Sequence, residues 1–158
     1  MASGRKGWGW ATRSRRPAPG GSSAARWPAV LPPEFTAHAR QVLGPDKLLV
    51  RGLSVILDTD RERARATARE TVSARLWQPS YAAALTRLGY SRQDIAEVSD
   101  RLVDAVVAHG NPVAIADKVA EHLATGADHV TLLPPIGTDF AAGVDQLEHL
   151  APALVDIG

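Results

Sequence analysis

Residues 110–133, GNPVAIADKVAEHLATGADHVTLL, decide the fold, because they contain a helix with both of its ends and the strand that follows it. Asn111 is a good N-cap, since its side-chain oxygen can accept a backbone N–H, and Pro112 suits the first helical position. Gly126 can take the left-handed conformation that ends a helix. The apolar run at 129–133 predicts a short strand that is covered on both faces. Together they form half of a βαβ crossover.

The rest of the chain predicts more helices than strands. Apolar periodicity and capping residues predict helices at 32–44, 61–77, 81–88, 100–109 and from residue 140 onward. Pro152 should kink the last of these helices or restart it near Leu150. Strands are expected at 27–31, 48–57 and 128–133. Strands that alternate with helices imply a parallel sheet, and three of them are too few to close a barrel.

Composition divides the chain near residue 30. Residues 1–30 carry six Arg or Lys and no acidic residue, so a chain of net charge +1 leaves a net −5 on the remainder. Gly, Ser, Pro, Arg and Trp without periodicity predict a disordered basic tail over 1–27. A shifted reading frame or a wrong start would explain the abrupt change. We therefore assign 1–27 to a tail and 28–158 to the folded domain.

Composition also excludes several classes of protein. The sequence has no run of about 18 apolar residues and no secretory signal, so neither a membrane span nor export is expected and the predicted location is the cytoplasm. Zero cysteines exclude disulfides, thiolate catalysis and cysteine-ligated metals. The P-loop, the Gly-x-Ser-x-Gly nucleophile turn and the His-Glu-x-x-His zinc motif do not occur.

The five histidines are dispersed, and none has a partner at metal-ligand spacing, so no metal site is expected: His38, His109, His122, His129 and His149. His38 and His149 are interpreted as surface or helix-terminal residues. His129 begins the last predicted strand and so lies at the amino end of the parallel sheet, where residues serve stability rather than catalysis. Residues 132–134 would approach the opposite, carboxyl end and could form an apolar wall there.

A stripe of arginines follows one face of the helix predicted at 61–77: Arg61, Arg65 and Arg69. This stripe could meet phosphate, and the basic tail could stack its tryptophans on bases. Neighbouring acidic residues neutralise the helix, however, so a solvated face is the favoured interpretation and nucleic acid is not an expected partner of the domain.

Five segments, taken in order, carry a resemblance to a known family: 33–46 (PEFTAHARQVLGPD), 58–65 (DTDRERAR), 81–90, 99–108 (SDRLVDAVVA) and 110–130. From about residue 32 to 158, the chain resembles the C-terminal portion of the luciferase-like monooxygenase superfamily, in particular its deazaflavin (coenzyme F-420)-dependent oxidoreductases. The last two segments are the more specific, and the others support them.

The resemblance implies a C-terminal fragment of a (β/α)8 barrel, a family fold of about twice this length. It also implies hydride transfer between a deazaflavin, or alternatively FMN, and a small organic substrate. In that family, the residues that hold the deazaflavin come mainly from strands before the matched region. No catalytic or cofactor-binding residue is therefore assigned to this chain, and turnover by the chain alone is not expected.

Two alternatives from other classes remain open. The chain could be a non-catalytic half-barrel that self-associates or pairs with a complementary half, since its predicted sheet has an uncovered edge. Alternatively, the basic tail could bind nucleic acid through charge.

Overall fold

The computed structural model describes residues 25–27, 29–155 and 157, with only the backbone of 25–27. The described strands are β1 Ala25–Trp27, β2 Leu49–Leu57, β3 Ala108–Gly110 and β4 His129–Leu133. The described helices are α1 Pro33–Leu43, α2 Arg61–Leu76, α3 Pro79–Arg87, α4 Arg92–Glu97, α5 Asp100–Val106, α6 Pro112–Ala124 and α7 Phe140–Leu154. The tail predicted for the first 27 residues lies outside the described residues up to residue 24, and its boundary stays a prediction.

All described strand pairs are parallel, and β2 is a member of each. β1 pairs with the start of β2, with Ala25 beside Leu49. β4 runs along most of β2, with its first residue His129 beside Val50. β3 pairs with the end of β2, where Val55 lies beside Ala108. The predicted parallel α/β architecture is therefore confirmed.

Local signals at the helix ends were sufficient to place several elements. The Asn111 side chain accepts the Ala114 N–H at 2.9 Å, as expected of the N-cap of α6. Asp60 caps α2 by accepting the N–H groups of Glu62 and Arg63, both at 3.1 Å. Gly126 has φ of 109°, the left-handed conformation predicted after α6.

Four expectations require correction. The helix predicted at 100–109 ends at Val106, and the residues after it form β3. The first strand lies at Ala25–Trp27 rather than at 27–31. α4 was not predicted at all. α7 continues through Pro152 instead of restarting near Leu150, and the side chain of Leu150 is fully buried.

A further correction concerns β4, which was expected to be covered on both faces. None of its five residues is fully buried, and His129 and Thr131 are exposed. Successive side chains of a strand alternate between faces, so these two lie on the face opposite Val130 and Leu132. This face of β4 is therefore open to solvent at the start of the strand, whereas Leu133 at its end is partly buried.

Two clusters of buried side chains stabilise the fold. In the helical cluster, α2, α3 and α5 pack with residues 29–31 and with Ile56 of β2. In the sheet cluster, Leu53 and Val55 of β2 pack with Ala108 and with α6 and α7. β2 contributes to both clusters from its two faces.

Polar groups are also buried beside α6. The side chain of His122 is fully buried, and its Nδ1 lies 2.9 Å from the hydroxyl of Thr36. Arg51 of β2 is 1% exposed and donates a hydrogen bond to the Leu31 carbonyl. Burial lowers the pKa of Arg51 to about 10. Burial, together with the charges of Arg51 and Lys118, lowers the pKa of His122 to about 3, so its imidazole is neutral.

Candidate functional site

A cavity of about 370 Å³ opens where β2 and β3 end and α6 begins. This is the carboxyl edge of the parallel sheet, the edge at which ligands bind in open α/β sheets and in barrels. Eight of the twelve described residues that line it have polar or charged side chains. The charged and titratable residues that line it are Asp58, Arg61, Arg65, Asp104, His109 and Lys118.

Backbone contacts fix the floor of this cavity. Asp58 directly follows β2, and its N–H donates to the carbonyl of Gly110 at the end of β3, at 3.0 Å. Gly110 has φ of 116°, a backbone conformation that glycine adopts without steric cost. Asn111 then caps α6. The ends of two strands and the start of one helix are thus held together.

An ion-paired network of three side chains forms one wall. The Arg65 guanidinium donates to both carboxylate oxygens of Asp104, at 3.2 and 3.0 Å. His109 Nε2 lies 2.9 Å from the same carboxylate. Burial would raise the pKa of Asp104, but the hydrogen bonds from Arg65 and His109 outweigh it, and the pKa lies below its ordinary value. Asp104 is therefore ionised, and it orients both partners.

The second carboxylate of the cavity has its own cation. Asp58 accepts hydrogen bonds from Arg63 Nε and Nη2, at 2.5 and 2.6 Å. The hydrogen bond from Arg63, followed by one from the Asp60 N–H, lowers the pKa of Asp58. Asp58 is thus an ionised and already paired group at the rim.

The structure changes the interpretation of the arginine stripe. Arg65 is only 14% exposed and pairs with carboxylates of α5, so it is not part of a solvated face. Arg69 donates to the Val98 carbonyl and to Asp100. Arg61 is exposed and lines the cavity. The stripe therefore joins α2 to α5 and reaches the cavity at one end.

The cavity was not predicted from the sequence, because the five histidines are far apart in the chain and none could be assigned a partner. His38 and His149 are exposed, as predicted, whereas His109 enters the cavity wall. A signal was present: Asp58 follows one strand, and His109 immediately precedes the Gly-Asn start of α6. The carboxyl ends of parallel strands meet at one edge, but β3 was not recognised as a strand.

The cavity does not fit a deazaflavin ring. A tricyclic ring requires broad apolar walls, as cofactor pockets usually supply. Among the described residues that line the cavity, the apolar ones are Val107, Ala108 and Ala114, and none is Phe, Tyr or Trp. The described lining therefore does not provide the broad apolar surface on which such a ring would lie.

Metal and membrane sites were sought across the same part of the chain. The described residues contain no group of three or more His, Asp or Glu side chains placed to hold a metal ion. No helix among them has both the length and the apolar character needed to cross a bilayer.

The sheet also presents an open edge and face. Within the described residues, β4 pairs only with β2. His129 and Thr131 are exposed on one face of β4, and Val50 and Gly52 lie beside them in register. Large apolar side chains just after β4 are also exposed, with Ile136 at 77% and Phe140 at 85%. An uncovered strand edge beside exposed apolar side chains is a ready surface for pairing.

Comparison with known proteins identifies the fold. No family model and no curated protein matches the sequence. Several solved structures are similar to it, including two F-420-dependent enzymes. One is an F-420-dependent secondary alcohol dehydrogenase in complex with an F-420–acetone adduct, with TM-score 0.52 and 14% identity over 81% of this chain and 42% of that one. The other is the coenzyme F-420-dependent tetrahydromethanopterin reductase from Methanopyrus kandleri, with TM-score 0.51 and 16% identity over 80% and 44%.

The chain therefore spans less than half the length of these two proteins. At this level of identity the likeness concerns the fold. It supports the expectation from sequence that the described residues, with their parallel strands and intervening helices, are an α/β fragment of a (β/α)8 barrel.

Proposed function

We propose that this chain supplies the closing strands and helices of a coenzyme F-420-dependent oxidoreductase, in which hydride passes between the deazaflavin and a small organic substrate. The observation that carries the proposal is the structural likeness to two F-420-dependent enzymes over 80% and 81% of the chain. It agrees with the resemblance seen independently in five sequence segments. The deazaflavin, when bound, would supply the chemistry of accepting or donating hydride.

The chain's own contribution is the carboxyl edge of the barrel. Asp58 and the Asp104 network shape a polar cavity there, but no apolar slot for the ring is formed by the described residues. The remaining walls would come from other strands, in another piece of protein or another copy. We therefore expect no turnover by the isolated chain.

Purification from the organism that encodes the chain tests the coenzyme. The tagged chain is isolated with whatever it assembles with, and the coenzyme released on denaturation is identified by mass spectrometry. A deazaflavin is the expected result, whereas FMN would favour an ordinary flavin. Finding neither would contradict the proposal.

A second measurement tests the expected inactivity. The chain, produced in a host without coenzyme F-420, is mixed with F-420 and a secondary alcohol, and reduction of the deazaflavin is followed by its absorbance. No reduction is expected. Alcohol-dependent turnover would show that the chain is a complete catalyst.

A second candidate function is that of a non-catalytic half-barrel that self-associates or pairs with a complementary half. The open edge of β4 and the exposed Ile136 and Phe140 favour it. Light scattering should then show dimers or larger species of the purified chain. Replacing Thr131 on the open face by Lys should shift the population toward monomer, because burying an unpaired charge is costly.

Replacing Thr86, which lies on the exposed side of α3, by Lys is the matched control for that experiment. It should leave the population unchanged. A well-folded, monodisperse monomer of the unmodified chain would count against self-association.

A further inference from the structure

Among the charged residues that line the cavity, the carboxylates have ion-pair partners and two of the cations do not have one within the cavity. Both of its carboxylates are satisfied, Asp58 by Arg63 and Asp104 by Arg65 and His109. Each negative charge therefore has a cation of its own.

Two cationic side chains of the cavity wall, Arg61 and Lys118, have no carboxylate partner among the residues that line the cavity. Arg61 makes no ion pair with any described residue. The Lys118 ammonium, whose side chain is 18% exposed, contacts Glu121 at 2.7 Å, but Glu121 does not line the cavity and is 52% exposed. An exposed pair of this kind contributes little stabilisation, so Lys118 can exchange partners at small cost.

A buried polar atom also lacks a partner in the same wall. The side chain of His109 is 9% exposed, and its Nδ1 is buried without a hydrogen bond to any described residue. Because Asp104 accepts from Nε2, Nδ1 of the neutral ring is an acceptor, and Nδ1 of the imidazolium is a donor.

The helix that borders the cavity adds to its positive potential. α6 has 13 residues, and its first residues contribute to the lining through Asn111 and Ala114. The N-terminal end of a helix carries a partial positive charge and stabilises anions nearby.

We propose that this cavity binds the oxyanion of a small molecule, a phosphate or a carboxylate, between Arg61, Lys118 and the start of α6, with His109 in contact with the bound group. The volume of about 370 Å³ suits a small phosphorylated or carboxylated compound. The proposal does not depend on the chain's being an oxidoreductase.

NMR titration of the full chain tests the site directly. Inorganic phosphate is added in one series and glutarate in another, at constant ionic strength, while the imidazole resonances of His109 and His149 are followed. The His109 resonances should move and saturate. Those of His149, which is exposed on α7, should not follow the same curve.

The two series distinguish the source of the oxyanion. Saturation with phosphate alone identifies phosphorylated ligands, and saturation with glutarate alone identifies carboxylates. Both results, singly or together, support an oxyanion site. The absence of a saturable change at His109 with either anion overturns it.

Charge-removing variants make the test specific. Arg61→Gln and Lys118→Gln should each weaken binding about tenfold, as loss of a hydrogen bond to a charged group typically does. Arg92→Gln is the matched control, because Arg92 is also an exposed arginine at the first position of a helix but lies outside the cavity. Equal weakening by Arg92→Gln would show a general charge effect and would overturn the proposal. Failure of coenzyme binding would leave this result unaffected.

Discussion

Leu53→Ala is expected to lower the free energy of unfolding by about 3 kcal/mol, the middle of the range for a leucine truncated in a packed core. Leu53 lies at the centre of β2 and is fully buried in the sheet cluster with Ile115 and Leu150. Truncation removes apolar surface that is buried on folding and leaves a cavity between the sheet and its helices. Chemical denaturation followed by circular dichroism measures the loss.

Val42→Ala is the matched control for this experiment. Val42 is 69% exposed on α1, so its truncation should change the unfolding free energy by less than about 0.5 kcal/mol. If the two variants lose equal stability, Leu53 does not lie in a packed core.

Acidification from pH 7 to pH 5 is expected to cost the folded chain about 2 kcal/mol through His122 alone. In the unfolded chain, His122 takes up a proton below its ordinary pKa of 6.5, whereas burial holds its folded pKa at about 3. Its contribution to stability is thus fully present above pH 6.5 and is lost progressively as the pH falls toward 3.

His122→Gln removes this titration while keeping a side chain that can hydrogen-bond to Thr36. The unfolding free energy of that variant should fall by about 2 kcal/mol less than that of the unmodified chain over the same pH interval. His149→Gln changes an exposed imidazole and should keep the steeper loss. If the unfolding free energies of the unmodified chain and of His122→Gln change in parallel with pH, His122 takes up protons equally in the folded and unfolded states, and the prediction is wrong.

Elements with strong local signals could be predicted from the sequence. The Asn111-Pro112 start, the Gly126 end and the Asp60 cap all depend on a few neighbouring residues, and each lies where it was expected. Long apolar runs also placed β2 and β4. These features are fixed by the backbone requirements of helix ends and strands, which act within one or two turns of chain.

Features that depend on distant contacts could not be predicted. β3 has three residues, and it is a strand because β2 lies beside it, whereas its own sequence continues the helical pattern of α5. α7 continues through Pro152, a residue that locally favours a helix break, and Leu150 two positions earlier is buried in the sheet cluster. The predicted burial of β4 was too high, because its apolar residues are typical of a strand that is covered on both faces, and one face is partly exposed here.

The candidate site could also be predicted only where it depends on local signals. Asp58 and Asn111 could be placed at strand and helix ends, but their meeting at one edge depended on β3. The pairing of Arg65 with Asp104 joins residues 39 apart in sequence, and periodicity along α2 shows only that Arg65 shares a face with Arg61.

β2 pairs with each of the three other described strands and contributes side chains to both buried clusters. Neither cluster retains its full set of contacts if these nine residues leave the sheet. The helical part and the sheet part are therefore expected to unfold in a single cooperative transition, although they are built from separate stretches of chain. A proteolytic cut within β2 would abolish both parts together, whereas a cut in the connection between α3 and α4 would leave the sheet paired.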